Sequence, residues 1–488
     1  MTKLKQYFIG SALISSVFLF GQGSSFASAS VSYSSSSHEF IGKSGSSPEE
    51  KTTFSAKEQL AFGIASMQTD PVLRNARWGF VVFDPKTNEV ITSYNENTPL
   101  IPASTTKLLT TETAMSYLGS RFKWNTQLEY SGEIDSDGVL NGNLYIVGSG
   151  DPSLGSGRAG SSTYRDIITD FIYAIGDANI TKIKGDIIIQ TAVFKNNKVD
   201  LPANIVWLEH NNYFLPVGST TNIDPRNEKL IVKKSSPFNN EKKYFYISPY
   251  NNKMVYADTF TGNSIEGKVP DAPQYLANSL RASMIKSGIV VEGKVVNKTY
   301  DPQPEERRKI TSYQSPELEE LVYFINQTSN NHFAENLLRT TGFYKNGDLS
   351  SETGRRTVTQ HLNEKSYDFS GLSFADGSGL SRSNLVTPIS QARFLSALTK
   401  EKYFDEYLKS LPIAGQTGTL KSSFSLSPAY GQIFAKTGTL NKVKTLSGYI
   451  KTRAGRLLAF SLLINNYNGS VNQIKRKMET ILEPAIDL

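Results

Sequence analysis

The chain has 488 residues, 38% hydrophobic and 20% charged, with a formal net charge of +7, an ordinary globular composition with room for roughly two or three domains. It contains no cysteine, which excludes disulfides, a thiol nucleophile, a lipoprotein cysteine and cysteine-based zinc sites. Its four histidines form no HExxH motif, no metal or organic cofactor is called for, and no basic stripe interleaved with aromatics points to nucleic acid.

In chain order, residues 1–29 read as a signal peptide. Lys3 and Lys5 precede a mostly apolar run from Tyr7 to Phe20, and Ala27-Ser28-Ala29 supplies a small-residue cleavage pattern. A spanning helix needs about 20 apolar residues, so the expectation is an exported protein, extracytoplasmic, secreted or cell-wall associated, with at most peripheral membrane or wall attachment. Without the two leader lysines a modest basic excess remains; it suits screened attraction to an anionic wall, or solubility alone. Residues 30–55 are Ser-rich and aperiodic, the composition of a flexible tether.

A helix is expected near Lys57–Met67, stopped before Pro71, followed by a hairpin turning at Asp84–Asn88. Residues 101–119 read as a loop entering a helix, with Leu108, Leu109, Ala114, Met115 and Leu118 on one face and Gly119 as its end. Residues 123–304 change character. Short strand-like runs alternate with Asn, Gly and Pro, and one amphipathic helix is expected at 275–284. After Ser315 the chain reads as helical, then as two strands around an Ala454-Gly455 turn and a last helix near Asn472–Ile481. Together these predict an α/β domain built from 56–122 and 305–488, interrupted by a large, mainly β insertion over 123–304.

Three short motifs occur in order: Ser104-Thr-Thr-Lys107, Ser329-Asn-Asn331 and Lys436-Thr437-Gly438. Ser283–Lys286 repeats the first pattern, Ser93–Asn95 the second, and Gln416-Thr417-Gly418 imitates the third; Ser283–Lys286 reads as a decoy because no companion motif accompanies it. A serine hydroxyl needs a base to become a nucleophile. With no histidine in the motifs, Lys107, one helical turn after Ser104, is the candidate, provided burial and a neighbouring cation lower its pKa. Lys436 can supply that cation. Ser329 can relay a proton to the leaving amine, and Asn331 can hold a substrate amide. Lys436 and Thr437 offer a cation and a hydroxyl to a substrate carboxylate, and a strand edge after Gly438 offers backbone donors. The N–H groups of Ser104 and Thr439 are candidates for an oxyanion hole.

This triplet resembles the active-site-serine penicillin-recognising enzymes. Gly148–Leu154, Ala375–Arg382, Leu411–Gly415 with Gly418–Leu420, and Ala435–Leu440 resemble more narrowly the class C low-molecular-mass penicillin-binding proteins, the D-Ala-D-Ala carboxypeptidases and endopeptidases of peptidase family S13. The resemblance spans roughly residues 57–488. It implies a penicillin-binding transpeptidase/serine β-lactamase-like fold with two nested domains between the first and second motifs. It also implies a Ser104 acyl-enzyme formed with peptidoglycan stem peptides ending in D-Ala-D-Ala, or with β-lactam antibiotics. Lys107 would act as base, and Lys436 and Thr437 would hold the terminal carboxylate. Trp207-Leu-Glu-His210 departs from the Trp–Asp–Asp-like segment often found in the family insertion, so no substrate contact is carried over there. Two alternatives are a β-lactamase or esterase of the same superfamily and a wall-binding or β-lactam-sensing protein that acylates without turnover. The first lacks an identifiable carboxylate motif for deacylation.

Overall fold

The computed structural model describes residues 54–190, 272–298, 305–348 and 350–488, together with the backbone of strands at 212–216, 229–236, 239–247, 254–256 and 264–268. The expected signal peptide, nearly all of the tether and Trp207–His210 lie outside the described residues.

The two ends of the described chain build one antiparallel sheet. Its strands are β1 (Arg77–Asp84), β2 (Glu89–Tyr94), β3 (Ile433–Leu440), β4 (Val443–Lys451) and β5 (Leu457–Asn465), in the order β3-β4-β5-β1-β2. The β1–β2 hairpin turns through Asn88 at φ 59°, a conformation Asn tolerates better than most residues. Both faces of β1 are buried, so its sequence is a continuous apolar run whose side chains sort by alternation. Phe80 and Val82 enter one core, whereas Val81 and Phe83 enter the other.

The first core is closed by α1 (Ala56–Thr69), through Leu60 and Met67, and by the last helix (Val471–Leu482), through Ile474, Met478 and Ile481. A capping box between Ser55 and Glu58 starts α1. On the opposite face the central element is α2 (Lys107–Leu118). The sequence predicts an apolar stripe on this helix, but every residue from Lys107 to Met115 is buried. Most of its polar side chains are paired internally, Thr113 Oγ1 being buried without a hydrogen-bond partner. Thr111 Oγ1 donates to the Lys107 carbonyl at 2.7 Å, and Glu112 accepts from Tyr403 Oη at 2.7 Å and lies 2.7 Å from His361 Nε2.

The insertion carries more helix than its sequence suggests. A five-stranded sheet orders Val295–Lys298, Ile187–Gln190, Leu144–Val147, Asn125–Ser131 and Arg307–Gln314. Two helices pack on it: α3 (Tyr164–Asp177), which the sequence reading did not predict, and α4 (Ala272–Lys286), which it placed at 275–284. The Ile-rich letters of α3 favour strand, yet Thr163 and Asp166 form a capping box, and Ile167, Ile168, Phe171 and Ile175 bury at helical spacing. The strand Arg307–Gln314, assigned from sequence to the flanking domain, pairs with Asn125–Ser131 in this sheet.

Beyond it run α5 (Leu318–Thr328), α6 (Asn331–Asn346), α7 (Ser351–Glu364), α8 (Pro388–Leu398) and α9 (Phe404–Ser410). Leu321, Ile325, Phe333, Leu337, Leu395 and Tyr407 from this group share the core that holds α2. That core fixes these helices against the sheet.

Candidate active site

The turn before α2 is a short 3₁₀ segment, Ala103–Thr106. In that geometry residues i and i+3 eclipse, so Ser104 and Lys107 point the same way and Lys107 Nζ stands 3.0 Å from Ser104 Oγ. Ala103 holds φ 47°, a left-handed conformation costly for a residue with a Cβ. Three contacts brace the turn. The Pro102 carbonyl accepts from Thr105 Oγ1 at 2.9 Å and from Thr445 Oγ1 at 2.7 Å, and the Ala103 carbonyl accepts from Thr106 Oγ1 at 2.8 Å.

Ser329-Asn-Asn331 is not inside a helix, as the sequence reading had it; it is the break between two. Ser329 sits in the left-handed region at φ 57° and ends α5. Asn330 caps α6 by accepting from Phe333 N at 2.9 Å, and Asn331 begins the helix. The break brings its two outer side chains to two buried lysines. Lys107 Nζ donates to Asn331 Oδ1 at 2.7 Å, and Lys436 Nζ donates to Ser329 Oγ at 2.8 Å.

Lys436-Thr437-Gly438 lies within β3, the edge strand of the sheet. Its outer edge is occupied early by the Pro412–Ile413 segment, where Ala435 N donates to the Pro412 carbonyl at 2.9 Å. Gly438 permits the close approach of the strand and the Ala103–Thr106 turn. A Cβ there would stand 2.7 Å from the Pro102 carbonyl and 2.9 Å from Ser104 N. The backbone at 438–439 therefore runs beside the Ser104 amide. Thr439 Oγ1 accepts from Lys444 Nζ at 2.6 Å across the hairpin.

Electrostatics distinguish the three lysines. Lys107 and Lys436 are fully buried. Burial drives Lys107 down to about 7, against the opposing pull of Glu335 and Asp376. Burial, then repulsion from Lys107 and Lys444, holds Lys436 well below the usual lysine range. The sequence reading put the cation–cation effect on Lys107; the dominant cause there is desolvation, and the repulsion is borne by Lys436. Lys444 is lowered to about 8, by burial and then by Lys475.

Two contributors were not singled out from sequence. Thr437 Oγ1 donates to Thr419 Oγ1 at 2.8 Å, and Thr419 lies in the 3₁₀ turn Gly418–Leu420. The signal was the Thr-Gly-Thr-Leu shared by 417–420 and 437–440; Gly418–Leu420 counted in the family resemblance, but Thr419 was given no role and Gln416-Thr417-Gly418 was read as imitation. The other is the Ser378 carbonyl, which accepts from Lys107 Nζ at 2.5 Å. A backbone acceptor has no letter of its own, although its loop, Ala375–Arg382, stood out by its glycines. The loop seats against the Ala103–Thr106 turn at Gly379, φ 81°, where a Cβ would lie 1.9 Å from the Ala103 carbonyl oxygen. Gly379→Ala combines an unfavourable φ with a backbone overlap. It is expected to destabilise the fold by about 2 kcal/mol or more and to slow acylation, read by thermal melting and by penicillin labelling. An unchanged melting temperature and labelling rate would contradict this packing.

The decoys fall elsewhere. Ser283 and Lys286 lie on α4, whose buried face packs into the insertion core. Ser93 and Asn95 lie at the end of β2, where Asn95 Nδ2 donates to the Trp78 carbonyl at 3.1 Å.

A family model described as "D-Ala-D-Ala carboxypeptidase 3 (S13) family" matches residues 60–241 and 255–484. The chain belongs to the S13 peptidase family. A D-alanyl-D-alanine carboxypeptidase DacB of Haemophilus influenzae is 27% identical over 439 residues, covering 83% of this chain and 88% of that protein. A D-alanyl-D-alanine carboxypeptidase of Actinomadura sp. is 27% identical over 450 residues, 84% and 82% of the two chains. The crystal structure of penicillin binding protein 4 from Haemophilus influenzae superposes with a TM-score of 0.66 at 24% identity, over 87% of this chain and 97% of that one. The family match thus runs through most of the insertion as well as its flanks.

Proposed function

We propose that this S13 enzyme is a serine D-alanyl-D-alanine carboxypeptidase, with endopeptidase action on cross-links of the same chemistry, that works through an acyl-enzyme on Ser104. The single observation that carries the reading is the chain of contacts Ser104 Oγ–Lys107 Nζ–Asn331 Oδ1 beside Lys436 Nζ–Ser329 Oγ. In this reading the contacts set a nucleophile, a base and a second proton-carrying path side by side.

In the forward reaction neutral Lys107 takes the Ser104 hydroxyl proton as Oγ attacks the carbonyl of the penultimate D-Ala. The backbone N–H groups of Ser104 and Thr439 receive the oxyanion. Protonated Lys107, or the Lys436–Ser329 pair, returns the proton to the leaving amine; the peptide C–N bond breaks and terminal D-Ala departs. Water then attacks the ester with the same base and frees Ser104. Asn331 orients the substrate amide, while Lys436 and Thr437 bind its carboxylate. Because Lys436 holds its proton weakly in the free site, an arriving carboxylate supplies the counter-charge that lets it stay ammonium. The substrate anion and a proton are therefore taken up together. A β-lactam enters the same way, and its leaving amine stays tethered to the acyl group.

The leader-like residues 1–29 support export, and the family's substrate class supports a site of action outside the cytoplasm, at the wall. Stem peptides ending in D-Ala-D-Ala and β-lactams are the proposed partners.

Release of D-Ala from a diacyl-Lys-D-Ala-D-Ala tripeptide tests the reading, with the C-terminal amide of the same tripeptide as control. The expected result is turnover of the free acid and a loss of about 10²-fold or more in kcat/KM for the amide, which brings no anion to pair with Lys436 and Thr437. Acylation by penicillin without D-Ala release would favour the sensing protein, and rapid penicillin hydrolysis the β-lactamase.

A further inference from the structure

Glu335 lies on α6, one turn beyond Asn331, and its carboxylate has so far played no part in the reaction. Its Oε1 accepts from Ser378 N at 2.8 Å. The carbonyl of that same residue receives the Lys107 ammonium. Asp376, two residues earlier in the loop, gathers the turn around itself. It accepts from Gly379 N and Ser381 N, each at 2.6 Å, and from Asn384 Nδ2 at 2.8 Å. Arg355 Nη1 on α7 donates to the Ala375 carbonyl at 3.2 Å. The loop is thus pinned from α6, from α7 and by its own aspartate, and it carries to Lys107 an acceptor that no side chain supplies.

We propose that Glu335 is a positioning residue for acylation: it seats the 375–382 loop so that the Ser378 carbonyl meets Lys107, and its charge faces the same ammonium. This deepens the Ser104–Lys107 reading and rests on it. Three charged groups face Lys107 from the elements packed around it: Glu335 from α6, Asp376 from the loop and Lys436 from β3. Desolvation favours the neutral amine, and the two carboxylates favour the ammonium. Without them burial would pull Lys107 further toward the neutral amine and leave it a weaker acceptor for the Ser104 proton. With them Lys107 rests near 7, able both to accept a proton and to give it back. Glu335 carries both functions, so amide and alanine substitutions separate them.

The experiment measures second-order acylation of the full chain by a labelled penicillin from pH 5 to 9. It compares wild type with Glu335→Gln, Glu335→Ala and Glu335→Asp. Glu335→Gln keeps an oxygen for Ser378 N but loses the charge. Its acid limb is expected to move to lower pH by about half a unit to one unit, because less field holds the ammonium. Its plateau rate should stay within about threefold of wild type. Glu335→Ala should show the same shift and a plateau lower by about tenfold or more, as the loop loses its anchor. Glu335→Asp keeps the charge on a shorter stem, so its limb should return toward the wild-type position even where its plateau is reduced. A limb that stays put in Glu335→Gln, or a Glu335→Ala variant matching wild type in both limb and plateau, overturns the proposal. Failure of the underlying reading is seen separately, as the absence of a Ser104 adduct in wild type.

Discussion

Ser104→Ala is expected to abolish covalent labelling by penicillin and to lower D-Ala release by about 10⁴-fold or more, while Ser283→Ala leaves both unchanged. The argument is geometric. Ser104 has Lys107 Nζ at 3.0 Å, the edge of β3 passing beside its amide, and a left-handed residue immediately before it. Ser283 shares the Ser-x-x-Lys letters, but on α4 its lysine is exposed, with no second motif beside it. Intact-mass measurement after penicillin treatment reads the result. A persistent adduct in Ser104→Ala, or its loss in Ser283→Ala, would move the nucleophile elsewhere. The side chain of Ser104 is small and only partly buried, so alanine should not unfold the protein.

Lys107→Met is expected to slow acylation by about 10³-fold and to erase the acid limb of its pH profile. An ordinary lysine near 10.5 is almost wholly protonated at neutral pH, whereas a group lowered to about 7 is about half neutral there. The neutral amine is the active form of a base. The wild-type acylation rate therefore rises with pH, levels off above about 7, and is lost as pH falls through that value. Second-order acylation rates report groups of the free enzyme. Because Lys107 and Lys436 interact, the midpoint belongs to the pair, and Lys107→Met is the variant that assigns it. A wild-type limb centred near pH 10, or a Lys107→Met variant that keeps the limb near 7, would contradict the role given to burial. Methionine is close in length to lysine but leaves Asn331 Oδ1 and the Ser378 carbonyl without their donor, so some stability is lost as well.

Much of this site was legible because its chemistry is written in side chains at short spacings. Ser104 and Lys107 are three residues apart, and a loop entering a helix is enough to align them. Lys436-Thr437-Gly438 reads as strand-borne because apolar Ile433, Phe434 and Ala435 precede it. What stayed hidden depends on the backbone or on distant packing. The left-handed break at Ser329 separates two helices that each have strong helical letters, so periodicity alone runs straight through it. The Ser378 carbonyl has no side-chain signature. Glu335 reads as one more helix carboxylate until the loop 271 residues from Lys107 is folded against it. In the fold, β1 and β5 were legible from their long, mostly apolar runs, while α3 was lost because its isoleucines favour strand locally and its burial on the sheet wins. The membership of Arg307–Gln314 in the insertion sheet is a pairing across nearly the whole insertion, which no local pattern encodes.

The most direct measurement is peptide mapping by mass spectrometry of the wild-type chain after incubation with labelled penicillin, with release of the label followed in time. The account predicts one long-lived adduct, on the peptide that contains Ser104, formed faster as pH rises to about 7. An adduct on any other residue, or a folded protein that takes up no label, would contradict it.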